Sequence, residues 1–273
     1  MLIDGRWTRD ATLRQFTGRD EEWLAGWDRS APSAFVQSAL LERCVTRIGR
    51  SEANGDLIRD MLVGDRDYLL LCLRRLCLGS KFDAVTECPR CLSRIELNFD
   101  ADDIPVEERP QRAARFDAEL IRGDGTSVHV VYHLPRGRDQ ERAALARDRT
   151  TTATLLESCL EEVDGDKDQE APAGLLDPTA QQQLAQLMEQ QAPQVTPDMD
   201  LVCPVCGLGI SRDFELAPFL LDELGAGAQR ILHEVHTLAY NYHWHEDEIL
   251  DLPRPRRHVY LGLLLQESQG VEA

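Results

Sequence analysis

The chain has 273 residues, 42% of them apolar, and a formal net charge of −18. That is enough to bury one large core or two modest ones. Its surface is acidic enough to repel phosphate backbones, which excludes general nucleic-acid binding and favours protein partners with neutral or basic faces.

The N-terminal Met1-Leu-Ile-Asp-Gly-Arg-Trp offers no apolar run long enough for a signal peptide. The region from Met1 to about Asp28 is expected to be partly ordered, with a short helix from near Asp20 carrying its acids in the first turn. A longer helix is expected after Pro32, apolar at Phe35, Leu40, Leu41, Cys44, Val45 and Ile48 and ended by Gly49. Asp65 is expected to cap a strongly apolar helix over Tyr68 to Leu78, which Gly79 stops. Apolar residues run nearly all the way round it, so it is expected to lie buried at the centre. Arg74-Arg75 interrupts the run, and it is too short to span a bilayer. The expected location is therefore a reducing cytoplasm, or a particle assembled there, with no membrane partner.

Next comes Cys88-Pro-Arg-Cys91, which supplies two of the four ligands a tetrahedral zinc requires. Its match is Cys203-Pro-Val-Cys206. Each pair is approached by a short apolar run, Phe82 to Thr86 and Leu201-Val202. A β-like alternation follows each: Ile95, Leu97 and Phe99, then Ile210, Phe214 and Leu216. Strand, two-cysteine turn and strand, given twice, is the pattern of a zinc ribbon holding one structural zinc ion on Cys88, Cys91, Cys203 and Cys206. A redox Cys-x-x-Cys would be expected to open a helix, and neither pair does. The long gap between the pairs is tolerable because loop-closure cost grows only with the logarithm of length.

That gap, residues 106–196, is expected to be an inserted α+β subdomain. It begins with an acidic linker from Pro105 to Pro110. A hairpin is expected around Gly123-Asp-Gly125, with Phe116, Ala118 and Leu120 alternating before it and Val128, Val130, Tyr132 and Leu134 after. Helices are expected from about Arg138 to Arg147 and from about Thr152 to Val163. The acidic stretch Glu161 to Glu170 lacks the glycine and twelfth-position Glu of a calcium loop and is expected to be a solvated loop. Pro178 starts a Gln-rich helix with Leu184, Leu187 and Met188 on one face. Beyond the second cysteine pair, short helices are expected over Glu215 to Leu224, Gln229 to Tyr242, after a turn at Tyr242-His-Trp-His, and from about Arg256 to Gln266. The fold class expected is thus α+β and helix-rich: a helical region over 1–80, a split zinc ribbon over 81–105 and 197–216, the insertion over 106–196, and a helical region over 217–273.

No P-loop, Gly-x-Ser-x-Gly or Gly-x-Gly-x-x-Gly fingerprint occurs. His233 and His236 are three apart, whereas a zinc protease helix needs His-Glu-x-x-His, and His243 and His245 add imidazoles only near a turn. Local hydrogen bonds are the expected role of these four histidines. Arg254, Arg256, Arg257 and His258 form a basic patch, which either binds a partner or complements the acids Glu246 to Glu248 and Asp251. The remaining cysteines, Cys44, Cys72, Cys77 and Cys159, lie in helical apolar patterns and are expected to be buried hydrophobes. No enzyme chemistry and no small-molecule substrate is implied.

Two stretches, Gly64-Asp-Arg-Asp-Tyr-Leu-Leu-Leu-Cys-Leu-Arg-Arg-Leu with Gly79 and Cys88-Pro-x-Cys91, and His236-Thr-Leu-Ala-Tyr-Asn-Tyr-His-Trp-His-Glu-Asp-Glu-Ile-Leu-Asp-Leu-Pro-Arg-Pro-Arg-Arg-His-Val-Tyr-Leu, resemble the T-even-type phage baseplate hub family. The resemblance spans roughly residues 14–105 and 200–266. His245 departs from it, standing where members often carry a Ser-like cap. The resemblance implies a non-enzymatic structural or assembly protein of a contractile phage tail or phage-tail-like injection system. Its partners would be other baseplate, hub or spike subunits. Candidate partner-binding residues are Tyr242, Trp244, Arg256, Arg257 and Tyr260. The alternative from another class is a zinc-ribbon adaptor in transcription or RNA processing.

Overall fold

The computed structural model describes residues 2–3, 6–28, 30–108, 113–146, 151–164, 176–195, 199–212, 216–228 and 230–270. Leu2–Ile3 (β1) and Arg6–Trp7 (β2) pair antiparallel; Ala11–Leu13 (β3) precedes Gly18–Ala25 (α1). Helix Ser33–Cys44 (α2) runs into Val45–Ile48 (β4), which lies between β3 and Ser51–Glu52 (β5). Gly55–Asp60 (α3) and Val63–Leu78 (α4) lead to an antiparallel hairpin, Lys81–Glu87 (β6) with Arg94–Asp100 (β7). Val106–Glu107 (β8) is followed by Phe116–Ile121 (β9), Ser127–Tyr132 (β10), Gly137–Ala144 (α5), Thr151–Ser158 (α6) and Leu160–Val163 (β11). Pro178–Gln191 (α7) and Gln194–Val195 (β12) precede a second hairpin, Met199–Val202 (β13) with Gly209–Arg212 (β14). Four helices close the chain: Leu216–Ala228 (α8), Ile231–Tyr242 (α9), Glu246–Leu250 (α10) and Arg254–Gly270 (α11).

The fold is mixed helix and sheet, and it divides into two compact units. One gathers Met1–Thr12, Arg47–Tyr68 and Val106–Val195; the other gathers Leu13–Thr46, Leu69–Pro105 and Thr196–Ala273. In the first unit, β10 is the central strand of the sheet β11-β10-β9, antiparallel to both neighbours. Its inward residues Val128, Val130 and Tyr132 meet Ala180, Leu184 and Met188 of α7 in a buried cluster, as period-2 and helical spacing require. Gly64 lies against Pro193, where an added Cβ would fall 1.8 Å from the carbonyl oxygen.

In the second unit, the part of α4 from Leu69 onward buries Leu69, Leu70, Leu71, Leu73 and Cys77 but exposes Leu76, so the expected buried helix has an open edge. Gly79 ends it at φ +86, a conformation that glycine takes without steric cost. Arg74 is buried near that end. Its guanidinium lies 3.8 Å over the Phe82 ring, donates to the Gly79 and Lys81 carbonyls, and pairs with Glu223 of α8 at 2.7 Å. Phe82 stacks on Phe99 across the β6–β7 hairpin.

Several boundaries differ from expectation. The helix after Pro32 stops at Cys44, because β-branched Val45, Thr46 and Ile48 enter a sheet instead. Leu160–Val163 likewise leaves its helix to pair with β10. Asp65 sits in the first turn of α4, which begins at Val63, and is not its cap. Leu216 opens α8 and does not continue the strand alternation, while Phe214 lies outside the described residues. Asp166 and Asp168 of the acidic loop also lie outside them.

Candidate metal centre

The two Cys-Pro-x-Cys turns are built alike, bond for bond. In the first, the Cys88 N–H donates to the Ser93 carbonyl and the Leu92 N–H to the Cys88 carbonyl, both at 2.9 Å. In the second, Cys203 N–H donates to Leu208 and Gly207 N–H to Cys203, again at 2.9 Å. The residue after each second cysteine is left-handed: Leu92 at φ +57 and Gly207 at φ +69. A hairpin clamps each turn, so both thiols of a pair point to one side.

The four sulfurs converge. Cys88 Sγ lies 3.6 Å from Cys206 Sγ, and Cys91 Sγ lies 3.6 Å from Cys203 Sγ. All four ligand atoms fall within 4.8 Å of one another. A disulfide would bring two sulfurs to about 2.05 Å, whereas four thiolates on one tetrahedral zinc, at Zn–S of about 2.3 Å, stand about 3.8 Å apart. The observed spacing fits the ion. Ile95 and Ile210 are buried beside Cys88 and Cys203, with Leu97 and Leu208 partly buried against them. Three of the cysteines and four aliphatic residues make a thin core, with Cys91 exposed at its edge, so an ion would supply what apolar burial cannot.

Ser93 is a residue that motif reading passed over. Its hydroxyl sits 3.1 Å from Cys91 Sγ and 3.3 Å from Cys203 Sγ. That hydroxyl and the Cys206 and Val205 N–H groups pull the Cys203 thiol down to about 6. Ser93 also lowers Cys91. For Cys206 the Leu208 N–H pulls down, but burial and the neighbouring thiols push it up to about 11. The cluster thus favours some thiolate and resists four, until a cation compensates their mutual repulsion. Cys44 and Cys77 are different in kind: burial pushes both up to about 12, which leaves them as inert buried thiols; burial raises Cys159 as well.

The C-terminal candidates fall into two groups. Tyr242, Trp244 and Tyr260 form an aromatic corner, with Tyr242–Trp244 centroids at 5.0 Å and Trp244–Tyr260 edge-on at 4.8 Å. They are half-buried against Ile231, Leu238 and Ile249. Arg256 is exposed, but Arg257 is 0% exposed, which removes it from the expected partner surface. Its Nη2 donates to Glu21 at 2.7 Å, its Nε to Glu234 at 3.0 Å and its Nη1 to the Leu252 carbonyl at 2.9 Å. Its partners are not the acids of α10. Asp247 and Asp251 are taken by Arg19 instead. His258 Nε2 lies 3.0 Å from Glu234.

Among the described residues, His233, His236, His243 and His245 form no metal-ligating group. His243 ends α9 at φ +56, and at His245, in place of a Ser-like cap, Glu248 accepts the His245 backbone N–H at 3.0 Å, the reciprocal half of a capping box. No helix among the described residues is long and apolar enough to cross a membrane.

A family model described as T4 bacteriophage base plate protein matches residues 6–216, most of the chain and both cysteine pairs. No curated protein and no solved structure matches.

Proposed function

We propose that this chain, which belongs to the T4 bacteriophage base plate protein family, is a non-enzymatic structural or assembly protein of the baseplate in a contractile tail or tail-like injection system. The family match carries this reading, and it does not favour the transcription adaptor. In this proposal Cys88, Cys91, Cys203 and Cys206 hold one zinc ion as a split ribbon. The zinc is a staple, bound by four protein thiolates with no open position for chemistry.

The partners are other baseplate subunits. The proposed contact surface is the C-terminal helical region, with the rim of the Tyr242, Trp244 and Tyr260 corner and exposed Arg256. Leu232, Tyr240, Val259, Leu263 and Leu265 on α9 and α11 are the exposed apolar side chains that this region offers a partner. At net charge −18 the protein complements basic partner faces, so rising salt should weaken partner binding.

The test is deletion of the gene in a producing cell, with electron microscopy of the particles and mass spectrometry of their subunits. Tails lacking baseplates, restored by the gene in trans, are expected. Recovery of the chain with purified particles makes it a standing component; abundance in lysate alone makes it an assembly factor. Normal baseplates without the gene would refute the reading.

A further inference from the structure

A second set of metal-ligand side chains meets in the first unit, far in sequence from either knuckle. His133 follows β10, Asp139 lies in the first turn of α5, and Cys159 joins α6 to β11. Their ligand atoms lie within 4.8 Å of one another. Backbone structure sets the meeting. The His133 N–H donates to the Cys159 carbonyl at 2.9 Å, which puts the two residues side by side where β10 ends and β11 begins. The pairing shifts register there, between Val131 and Tyr132; such bulges re-aim side chains. Asp139 is fixed by accepting the Arg136 N–H at 2.9 Å on Oδ2.

His133 Nδ1 lies 3.7 Å from that same Oδ2. This is too long for a hydrogen bond. It is close to the separation of about 3.3 Å for N and O ligands on one tetrahedral ion with bonds of 2.0–2.2 Å. Asp139 is 3% exposed and Cys159 0%. The buried carboxylate accepts the Arg136 N–H and has further lone pairs to offer an ion.

The geometry points to a second metal site, in which Cys159 Sγ, the Asp139 carboxylate and His133 Nδ1 bind a borderline divalent ion such as zinc and a water completes the tetrahedron. The mixed S, N and O set suits zinc and excludes magnesium and calcium, which take oxygen ligands. On binding, the imidazole proton moves from Nδ1 to Nε2, Nδ1 exchanges its 3.0 Å contact with the Leu134 carbonyl for the ion, and the Cys159 thiol releases its proton to water. The ion would tie the end of the sheet to α5.

Counting metal on the purified full-length protein by elemental mass spectrometry, after loading with zinc alone, tests this. The wild type is expected to carry two equivalents, and Cys159→Ala and His133→Gln one fewer each. His133 is the least buried of the three ligands, so its variant keeps the test open if Cys159→Ala does not fold. If neither folds, the visible spectrum of the cobalt-loaded wild type decides, because a mixed-ligand site absorbs apart from an all-thiolate one. Equal counts in wild type and folded variants, or a purely thiolate cobalt spectrum, would overturn the proposal.

Discussion

The knuckle pair and the C-terminal helices lie in the same unit but are held by different forces. The hairpins β6–β7 and β13–β14 share a core of a few aliphatic side chains around four sulfurs, and the proposed zinc provides most of what holds them together. The α9–α11 region buries Ile231, Val235, Leu238, Ile249 and Leu250, with the aromatic corner packed over them. Through its centre runs a charge network, Glu21–Arg257–Glu234, with exposed His258 beside Glu234 at its edge. One region is therefore expected to depend on metal, the other on burial and on charges that cannot be removed singly. The lesson is that one compact unit need not have one mode of failure.

The largest effect follows from removing a knuckle ligand. Structural zinc contributes about 10 kcal/mol or more to folding, so Cys88→Ser or Cys206→Ser should unfold both hairpins, with metal content and circular dichroism as the readout. Retained fold without metal would break the contrast from the first side. Next is Arg257→Ala. It strands two buried carboxylates, with Glu21 Oε2 already lacking a hydrogen-bond partner among the described residues. Breaking a buried pair this way costs about 3–5 kcal/mol, read as a drop in denaturant midpoint, while exposed Arg256→Ala should stay within about 0.5 kcal/mol.

Asp20 adds an acid-sensitive element. Burial pushes its carboxyl up, but Arg14 at 2.5 and 2.7 Å and the Thr17 N–H outweigh that and hold it below the ordinary range. A carboxylate depressed in the folded state stabilises above its unfolded value of about 3.9. That stability is lost as pH falls through the lower folded value. Asp20→Asn should therefore lower stability at neutral pH and flatten its fall below about pH 4, read from thermal midpoints across pH. The smallest effect is at Leu92, which occupies the left-handed position that Gly207 fills in the other knuckle. Leu92→Gly should stabilise by up to about 1 kcal/mol, the left-handed strain being partly offset by glycine's greater freedom when unfolded.

What the sequence made legible was local. Cys-Pro-x-Cys twice, the stop at Gly79, the hairpin at Gly123-Asp-Gly125 and the helix after Pro178 each carry their signal within a few residues. Val45–Ile48 and Leu160–Val163 read as helix because four residues such as Val-Thr-Arg-Ile or Leu-Glu-Glu-Val, directly after a helix, are too short to show a period of their own; only their strand partners distinguish them. Arg257 belonged to a visible basic patch, but its partners Glu21 and Glu234 are remote or on another helix, and no spacing announces them. The cluster of His133, Asp139 and Cys159 has mixed residue types and no motif, and backbone pairing alone assembles it.

The most direct measurement of the contrast is hydrogen exchange, read by mass spectrometry, on the whole protein before and after a zinc chelator. The account predicts loss of protection across 81–100 and 199–212 with protection kept across 231–264. Unchanged exchange in the two hairpins on metal removal would contradict it.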